Sequence, residues 1–196
     1  MENKKPAIFL DRDGCVTVEK SYVKTAEDME IYPFAKKCVD RIHELGYWAI
    51  VITNQSGVGR GMFTEEELGR MNDRLIRETG VDAVYYCPHW HNENSTLPQY
   101  NIECDCRKPN TGMIEKAKKD FDIDIEDSYF VGDRATDLLT GKKAGTKAIL
   151  VRTGYGSGPL EKPVTPDGIY DSLEAFVRDL TCCLLYTSPS PRDTER

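Results

Sequence analysis

Short apolar runs alternate with segments of helical period along most of this chain, and that alternation constrains its fold more than any other feature. The runs lie at Ala7–Leu10, Trp48–Ile52, Ala83–Tyr86, Tyr129–Val131 and Ala148–Val151. Such a pattern favours repeated βα units, in which buried strands form a sheet and the helices between them cover it. We therefore predict an α/β fold: a doubly wound, mainly parallel sheet flanked by helices.

Helices are predicted between the apolar runs. Apolar residues recur at helical spacing over Phe34–Leu45, and Gly46 then supplies a C-terminal stop. Thr64 and Glu67 have the spacing of a capping box, which predicts the start of a second helix there. Further helices are predicted to begin near Thr111, Thr136 and Ser172.

Length and composition indicate one soluble domain. The chain has 196 residues, of which 39% are hydrophobic and 30% charged, so we expect a packed core rather than general disorder. A net charge of -7 without a long basic run argues against a nucleic-acid partner. No apolar stretch approaches the roughly 20 residues of a membrane span, and no signal-peptide core follows Met1–Lys5. We therefore expect a cytoplasmic protein with no membrane partner.

The last residues break the pattern. From Cys183 to Asp193 the chain reads Cys-Leu-Leu-Tyr-Thr-Ser-Pro-Ser-Pro-Arg-Asp, which resembles the translation of an adapter used in sequencing libraries. We predict one domain over residues 1–181, followed at 182–196 by a tail that is non-native or disordered. The alternative is a natural polar tail.

Acidic side chains follow two of the predicted strands directly. Asp11 and Asp13 come after the first strand, and neighbours at i and i+2 in an extended segment point the same way. Asp133 follows the fourth strand, with Asp137 four residues later. Because open α/β sheets bind ligands at the carboxyl ends of their strands, these carboxylates are expected to converge, and Mg²⁺ would relieve their repulsion. Each Asp taken alone is equally typical of a turn or a helix cap.

Two further segments offer groups for an anion. Thr53 and Asn54 end the second strand, where a hydroxyl and backbone amides can hold phosphate oxygens. Lys108, beside Arg107, supplies positive charge. The alternatives are an ordinary polar turn and a solvated surface lysine.

The stretch from Pro88 to Pro109 has no helical period, and a loop of this length requires an internal staple or a function. Cys87, His89, Cys104 and Cys106 flank or lie in it as a Cys₃His set, the ligand type that selects Zn²⁺. Four protein ligands leave no open position, so the role would be structural. His91 is an alternative to His89, and unmetallated thiols or one disulfide are the alternatives to zinc.

Four motifs of this chain, in this order, resemble those of the haloacid dehalogenase superfamily. They are Asp11-Arg12-Asp13-Gly14, Thr53-Asn54-Gln55-Ser56-Gly57, Cys106-Arg107-Lys108-Pro109 and Gly132-Asp133-Arg134-x-x-Asp137. The resemblance covers about Ala7 to Leu180 and is closest to the branch of heptose bisphosphate and histidinol phosphate phosphatases. It implies a haloacid dehalogenase-like fold with a zinc-stapled loop, in which it favours His89 as the ligand, and no large cap domain.

The resemblance also implies a mechanism. Asp11 is then the nucleophile that forms an aspartyl-phosphate, and Asp13 is the general acid and base. Mg²⁺ is bound by Asp11, Asp133 and the backbone carbonyl of Asp13. The residues that the resemblance assigns to phosphate or substrate are Tyr22, Thr53, Asn54, Gln55, Ser56, Arg107, Lys108 and Arg134.

This chain departs from the family pattern at two places that concern the substrate. The segment before Tyr22 reads Glu19-Lys20-Ser21, where the family usually has an acidic residue, His and Gly. Arg134 stands where the family commonly has Lys, and the two cations are not interchangeable.

The implied reaction is removal of the 7-phosphate from D-glycero-D-manno-heptose 1,7-bisphosphate, in the supply of precursors for lipopolysaccharide or surface glycans. The expected partner is this small phosphorylated sugar, and the protein is expected to be a monomer. Histidinol phosphate is the alternative substrate, although the long gap between the two zinc-binding segments resembles the heptose enzymes more. A related branch acts on nucleic-acid ends, which the acidic charge balance disfavours.

The alternative from another class is a catalytically silent module that only binds a phosphorylated metabolite. Loss of Asp11, Asp13 or Asp133 would favour that alternative, and all three are present.

Overall fold

Six parallel strands form one sheet and are numbered here in chain order. They are β1 (Lys5–Leu10), β2 (Trp48–Asn54), β3 (Ala83–Cys87), β4 (Ile123–Gly132), β5 (Lys147–Val151) and β6 (Gly168–Tyr170). In space the order is β3-β2-β1-β4-β5-β6, with every neighbouring pair parallel. The computed structural model describes residues 4–187, and their side chains up to residue 184. The prediction of a mainly parallel sheet is confirmed. Strand β6 is not predicted from the sequence, because a strand of three residues is too short to form a recognisable apolar run.

Helices cover both faces of this sheet. In the described part of the chain they are α1 (Ala35–Glu44), α2 (Glu65–Thr79), α3 (Gly112–Asp120), α4 (Ala135–Ala144) and α5 (Leu173–Thr187). Helices α1, α2 and α5 pack on the face that carries Ile8 and Leu10, whereas α3 packs on the face of Ala7 and Phe9. Alternate residues of β1 therefore serve two separate cores, as expected for a strand buried on both sides. None of the helices within residues 4–187 has both the length and the apolar character to span a bilayer.

At the N-terminus of α2, one of the two hydrogen bonds of the predicted capping box is present. The Thr64 side chain accepts a hydrogen bond from the Glu67 N–H at 3.1 Å, and Gly80 ends the helix in the left-handed region at φ 81°. The Glu67 carboxylate does not return to Thr64 but accepts from the Ala26 N–H at 2.9 Å. It thereby ties the segment after β1 to α2, a long-range use that the local pattern does not predict.

Strand β4 starts six residues earlier than the sequence pattern indicates. Its pairing with β1 runs from Pro6–Asp124 directly to Ile8–Tyr129, so the polar residues between 124 and 129 bulge out of the register. Their polarity hides this part of the strand from an analysis of apolar runs.

Helix α5 continues to Thr187, past residue 181, where we predict that the domain ends. Residues 188–196, which include most of the adapter-like segment, lie outside the described residues. The domain boundary therefore stays a prediction.

Candidate active site and metal centre

The sheet reverses its strand order between β1 and β4, and the predicted acidic residues lie at the carboxyl ends of these two strands. Asp11 follows β1 and Asp133 follows β4, and both are buried. Thr53 and Asn54 end the neighbouring strand β2. The parallel topology therefore brings all of these residues to one edge of the sheet, at the position where such folds bind ligands.

Three carboxylates form a buried cluster at this edge. One oxygen from each of Asp11, Asp133 and Asp137 lies within 4.8 Å of the others, and all three residues are buried. Asp137 is in the first turn of α4, and its Oδ2 accepts from the Arg134 N–H at 3.0 Å. From the sequence we predict Asp11, Asp13 and Asp133 as the metal ligands. In the structure Asp137, four residues after Asp133, supplies the third carboxylate of the cluster.

Two glycines allow the backbone to close over Asp133. A Cβ at Gly14 would lie 2.3 Å from Asp133 Oδ2, and one at Gly154 would lie 2.2 Å from the same oxygen. Both glycines have positive φ, of 83° and 60°. Asp133 Oδ2 also accepts a hydrogen bond from the Tyr155 N–H at 2.7 Å, so the carboxylate is enclosed by backbone from two loops.

Lys108 places a buried ammonium against the cluster. Its Nζ lies 2.7 Å from Asp11 Oδ1 and 2.7 Å from Asp137 Oδ1, and it donates to the Ile52 carbonyl at 2.9 Å. The Asn54 side chain holds the Lys108 backbone from both sides, accepting from its N–H at 3.0 Å and donating to its carbonyl at 3.3 Å. Asn54 therefore fixes the position of Lys108 through its side chain.

Burial is the largest single influence on the pKa of each of these groups. It raises the pKa of Asp11 to about 7, although Lys108 acts in the opposite direction. Burial and the charges of Asp11 and Asp137 raise the pKa of Asp133 to about 8. Burial lowers the pKa of Lys108, but its two carboxylate partners outweigh that effect and raise it above the ordinary value.

The cluster fits a divalent cation. When all three carboxylates are ionised, the one ammonium leaves two negative charges uncompensated, and hard oxygen donors of this kind suit Mg²⁺. The Oδ1 atom of Asp133 is buried without a hydrogen-bond partner among the described residues, a costly state that a bound cation removes. The residues present thus match the ion that the sequence analysis expects.

Asp13 lies on the same edge, but its carboxylate is outside the cluster. Its oxygens accept from Arg12 Nε at 3.1 Å and from Gln55 Nε2 at 2.8 Å. Thr17 Oγ1 donates a further hydrogen bond to it at 3.2 Å. The Asp13 carboxylate therefore does not face the metal site in this arrangement. A metal contact from Asp13, as predicted, would come from its backbone carbonyl, the atom that the resemblance implies.

A cavity of about 870 Å³ opens at this edge of the sheet and contains most of the predicted site residues on its wall. The predicted residues that line it are Asp11, Asp13, Tyr22, Thr53, Asn54, Ser56, Arg107, Lys108 and Arg134. Gln55 does not line it: its side chain is buried and hydrogen-bonded to Asp13 and, at 2.9 Å, to Thr53. Gln55 is therefore placed to orient these two residues, and a direct contact between Gln55 and the substrate stays a prediction.

The predicted zinc ligands also come together. Cys87 Sγ lies 3.5 Å from His89 Nδ1 and 3.6 Å from Cys104 Sγ, and His89 Nδ1 lies 3.3 Å from Cys106 Sγ. All of these cysteines are free. Tetrahedral Zn²⁺ with ordinary bond lengths separates its donors by about 3.5–3.8 Å, so the four side chains fit the ion.

His91, the alternative ligand, lies outside this group. Its Nδ1 is hydrogen-bonded to Asn101 Oδ1 at 3.1 Å. The Cys/His cluster also adjoins the cavity, because Arg107 follows Cys106 directly and its Nη1 donates to the His89 carbonyl at 3.2 Å.

Comparisons with known proteins agree with this geometry. A family model described as HAD-hydrolase-like matches residues 105–176. A D-glycero-beta-D-manno-heptose-1,7-bisphosphate 7-phosphatase from Vibrio cholerae is 41% identical over 181 residues, which are 89% of this chain and 91% of the relative. The protein of that name from Escherichia coli K12 is 37% identical over 174 residues, 85% and 86% of the two chains.

A solved structure is similar as well. The D,D-heptose 1,7-bisphosphate phosphatase from B. bronchiseptica, in complex with magnesium and phosphate, superimposes with a TM-score of 0.76 at 29% identity. The match covers 90% of this chain and 98% of that one.

Proposed function

This chain belongs to the haloacid dehalogenase-like phosphatases, in the branch of the heptose 1,7-bisphosphate 7-phosphatases, and from that premise we propose that it removes the 7-phosphate of D-glycero-D-manno-heptose 1,7-bisphosphate. The reaction would supply nucleotide-heptose precursors of lipopolysaccharide or surface glycans. We propose further that catalysis depends on Mg²⁺ and proceeds through an aspartyl-phosphate.

The observation that carries the mechanism is the asymmetric environment of the Asp11 carboxylate. Its Oδ1 accepts hydrogen bonds from Lys108 Nζ at 2.7 Å and from the Arg12 N–H at 2.8 Å. Its Oδ2 accepts none from the described part of the chain. A carboxylate anchored through one oxygen presents the other as a nucleophile.

In the first step Asp11 Oδ2 attacks phosphorus, and the bond from phosphorus to the sugar oxygen breaks. Asp13 gives its proton to the departing oxygen, and the aspartyl-phosphate remains on Asp11. In the second step Asp13 takes a proton from water as the water oxygen attacks phosphorus, which releases phosphate and restores the Asp11 carboxylate. Lys108 and the Thr53 hydroxyl, which both line the cavity, would stabilise the negative charge on the phosphoryl oxygens.

Asp11, Asp133 and the Asp13 carbonyl would hold Mg²⁺, and Asp137 adds a third carboxylate to the cluster. When bound, Mg²⁺ neutralises these carboxylates and polarises the phosphoryl group. Asp137 also keeps Lys108 charged and in place through the 2.7 Å ion pair.

Cys87, His89, Cys104 and Cys106 would hold Zn²⁺ in a structural role. Their position supports this proposal, because Arg107 and Lys108 follow the last ligand directly. A staple at this point would hold both cations against the cavity.

The experiment compares kcat/KM of the full chain with Mg²⁺ on both anomers of the heptose bisphosphate and on histidinol phosphate. We expect the better heptose anomer to exceed histidinol phosphate by at least about 100-fold. Phosphorus NMR should show that the 7-phosphate is lost and the 1-phosphate kept. A higher kcat/KM on histidinol phosphate, or loss of the 1-phosphate, would overturn the substrate assignment.

A further inference from the structure

Arg60 is a cation of the cavity wall for which the proposed mechanism has no use. It is exposed, and none of the described carboxylates pairs with it. Two other cations of this wall are paired: Lys108 with Asp11, and Arg134 with Glu161, whose Oε1 lies 3.1 Å from it. An unpaired guanidinium on the wall of a cavity is available to an anionic ligand.

Backbone contacts hold Arg60 against the loop between Pro88 and Pro109, which carries most of the Cys/His cluster. The preceding Gly59 donates its N–H to the Pro88 carbonyl at 3.0 Å. A Cβ at Gly59 would lie 2.8 Å from that oxygen and 2.9 Å from the Trp90 backbone nitrogen. Only glycine allows the two loops to approach this closely, and the approach sets Arg60 beside Trp90.

The side chain of Arg60 is positioned by stacking. Its Cζ lies 4.2 Å from the centroid of the Trp90 ring and 5.8 Å from that of Tyr22. Stacking occupies the face of a guanidinium and leaves its N–H groups, which point outward in the plane, free to donate. Arg60 is therefore ordered by Trp90 without losing its hydrogen-bonding capacity.

A second guanidinium is held by the residue next to Trp90. Arg107 donates to the carbonyl of His89, and both Arg60 and Arg107 line the cavity. The two arginines thus rest on consecutive residues of one loop. Neither has a carboxylate partner among residues 4–187, whereas the buried cluster at Asp11 is anionic. The cavity consequently combines the anionic cluster, which suits a metal ion, with two guanidinium groups that no described carboxylate pairs with.

We propose that Arg60 is a specificity-determining residue that binds the phosphate that is not transferred, with Trp90 as the residue that positions it. This inference rests on the proposed function, because it requires a substrate with a second phosphate. Guanidinium donors bind phosphate oxygens through charge-assisted hydrogen bonds, and a monophosphate would gain nothing from them. Arg60 then selects for bisphosphates without taking part in the chemical step.

The test is Arg60→Gln, assayed with heptose 1,7-bisphosphate and with heptose 7-phosphate. We expect kcat/KM on the bisphosphate to fall by about 10- to 100-fold, mainly through KM, and that on the monophosphate to change less than about twofold. Arg77→Gln is the matched control, since Arg77 is an exposed arginine of α2 that does not line the cavity. An equal loss on both substrates, or no loss on either, overturns the inference.

A second arm keeps this inference separate from the proposed substrate. Hydrolysis of p-nitrophenyl phosphate is inhibited with fructose 1,6-bisphosphate and with fructose 6-phosphate, so heptose turnover is not needed. We expect Arg60→Gln to weaken inhibition by the bisphosphate about 10-fold or more and to leave that by the monophosphate unchanged. If heptose bisphosphate is not hydrolysed but this difference holds, only the proposed substrate is wrong. If heptose bisphosphate is preferred and Arg60→Gln leaves that preference intact, only the Arg60 inference is wrong.

The positioning role of Trp90 is tested by the ratio of kcat/KM on heptose 1,7-bisphosphate to kcat/KM on heptose 7-phosphate. Trp90→Leu should lower the ratio, and Trp90→Phe, which keeps an aromatic face, should restore most of it. A lowered ratio that phenylalanine does not rescue, or an unchanged ratio in Trp90→Leu, would show that stacking on Trp90 does not position Arg60.

Discussion

The ammonium nitrogen of Lys108 lies 2.7 Å from Oδ1 of Asp11, although 97 residues separate the two in the chain. Both groups are buried, so their attraction is little screened by water. The same nitrogen lies 2.7 Å from Asp137 Oδ1. One lysine therefore anchors the proposed nucleophile and partly balances the charge of the carboxylate cluster.

Replacing Lys108 should damage both activity and stability. In Lys108→Met we expect kcat to fall by about 10²- to 10³-fold, because a preorganised cation is lost from the site of phosphoryl transfer. The free energy of unfolding without Mg²⁺ should fall by about 3–5 kcal/mol, since two buried carboxylates lose their partner. Steady-state kinetics and urea unfolding measure the two effects. Lys118→Met, at an exposed ion pair on α3, is the control and should change neither by much.

The nucleophile is tested by Asp11→Asn. We expect kcat to fall by at least about 10⁴-fold while the fold is retained, because the amide keeps the shape of the side chain but cannot form the acyl-phosphate. Rapid acid quench followed by mass spectrometry should detect a phosphorylated protein in the wild type and none in the variant. Near-normal turnover by Asp11→Asn would falsify the mechanism.

Stability without Mg²⁺ should decrease as pH rises. The folded pKa values of Asp11 and Asp133, about 7 and about 8, lie above the unfolded value of 3.8. Groups of this kind contribute stability that is fully present below the unfolded pKa and lost as pH rises through the folded pKa. Calorimetry should therefore show Tm decreasing between about pH 5 and about pH 8.5.

Added Mg²⁺ should raise Tm more at the upper end of this range, since protons and the cation compete for the same carboxylates. Asp11→Asn should show a weaker decrease of Tm with pH than the wild type. A Mg²⁺-induced shift in Tm that is equally large at the two ends of this pH range would contradict the assignment of the metal to this cluster.

Substitutions at two glycines with nearly the same φ should distinguish the cost of backbone strain from the cost of side-chain crowding. Gly14 has φ 83° and meets Asp133 Oδ2, whereas Gly46 has φ 85° and nothing within 4 Å of its added Cβ. Gly46→Ala should cost about 1 kcal/mol for the positive φ alone. Gly14→Ala should cost about 1–3 kcal/mol more and also weaken Mg²⁺ binding, because Asp133 must move. Equal losses, with Mg²⁺ affinity unchanged, would mean that Gly14 does not shape the cluster.

Removing one thiolate should release zinc. We expect Cys104→Ser to lose the metal, as measured by plasma mass spectrometry, and to lower both Tm and kcat/KM. The physical reason is that the loop holding Arg107 and Lys108 then lacks its staple. Cys182→Ser, at an exposed cysteine outside the cluster, should keep the metal and the activity. A wild-type protein purified without any bound metal would also contradict the assignment.

Several features of the fold and the site can be predicted from sequence because their signals are local. The apolar runs that become β1 to β5 differ from the helical segments by their period, which a window of ten residues reveals. Asp11 and Asp133 are identifiable because each directly follows such a run. The Cys₃His set is identifiable from residue type alone, and the structure brings its four members together.

Other features depend on contacts between distant residues, and only the tertiary structure decided them. Asp137 rather than Asp13 supplies the third carboxylate of the cluster, and Gln55 lies behind Asp13 rather than on the cavity wall. Arg60 rests on Trp90 because Gly59 lets two loops approach closely. Periodicity shows which side of a segment is buried, whereas the partners of a polar side chain are set by the crossover connections that bring separate loops to one edge of the sheet. The sequence thus determined the elements and most of the reactive groups, and the packing of the loops determined which of these groups touch.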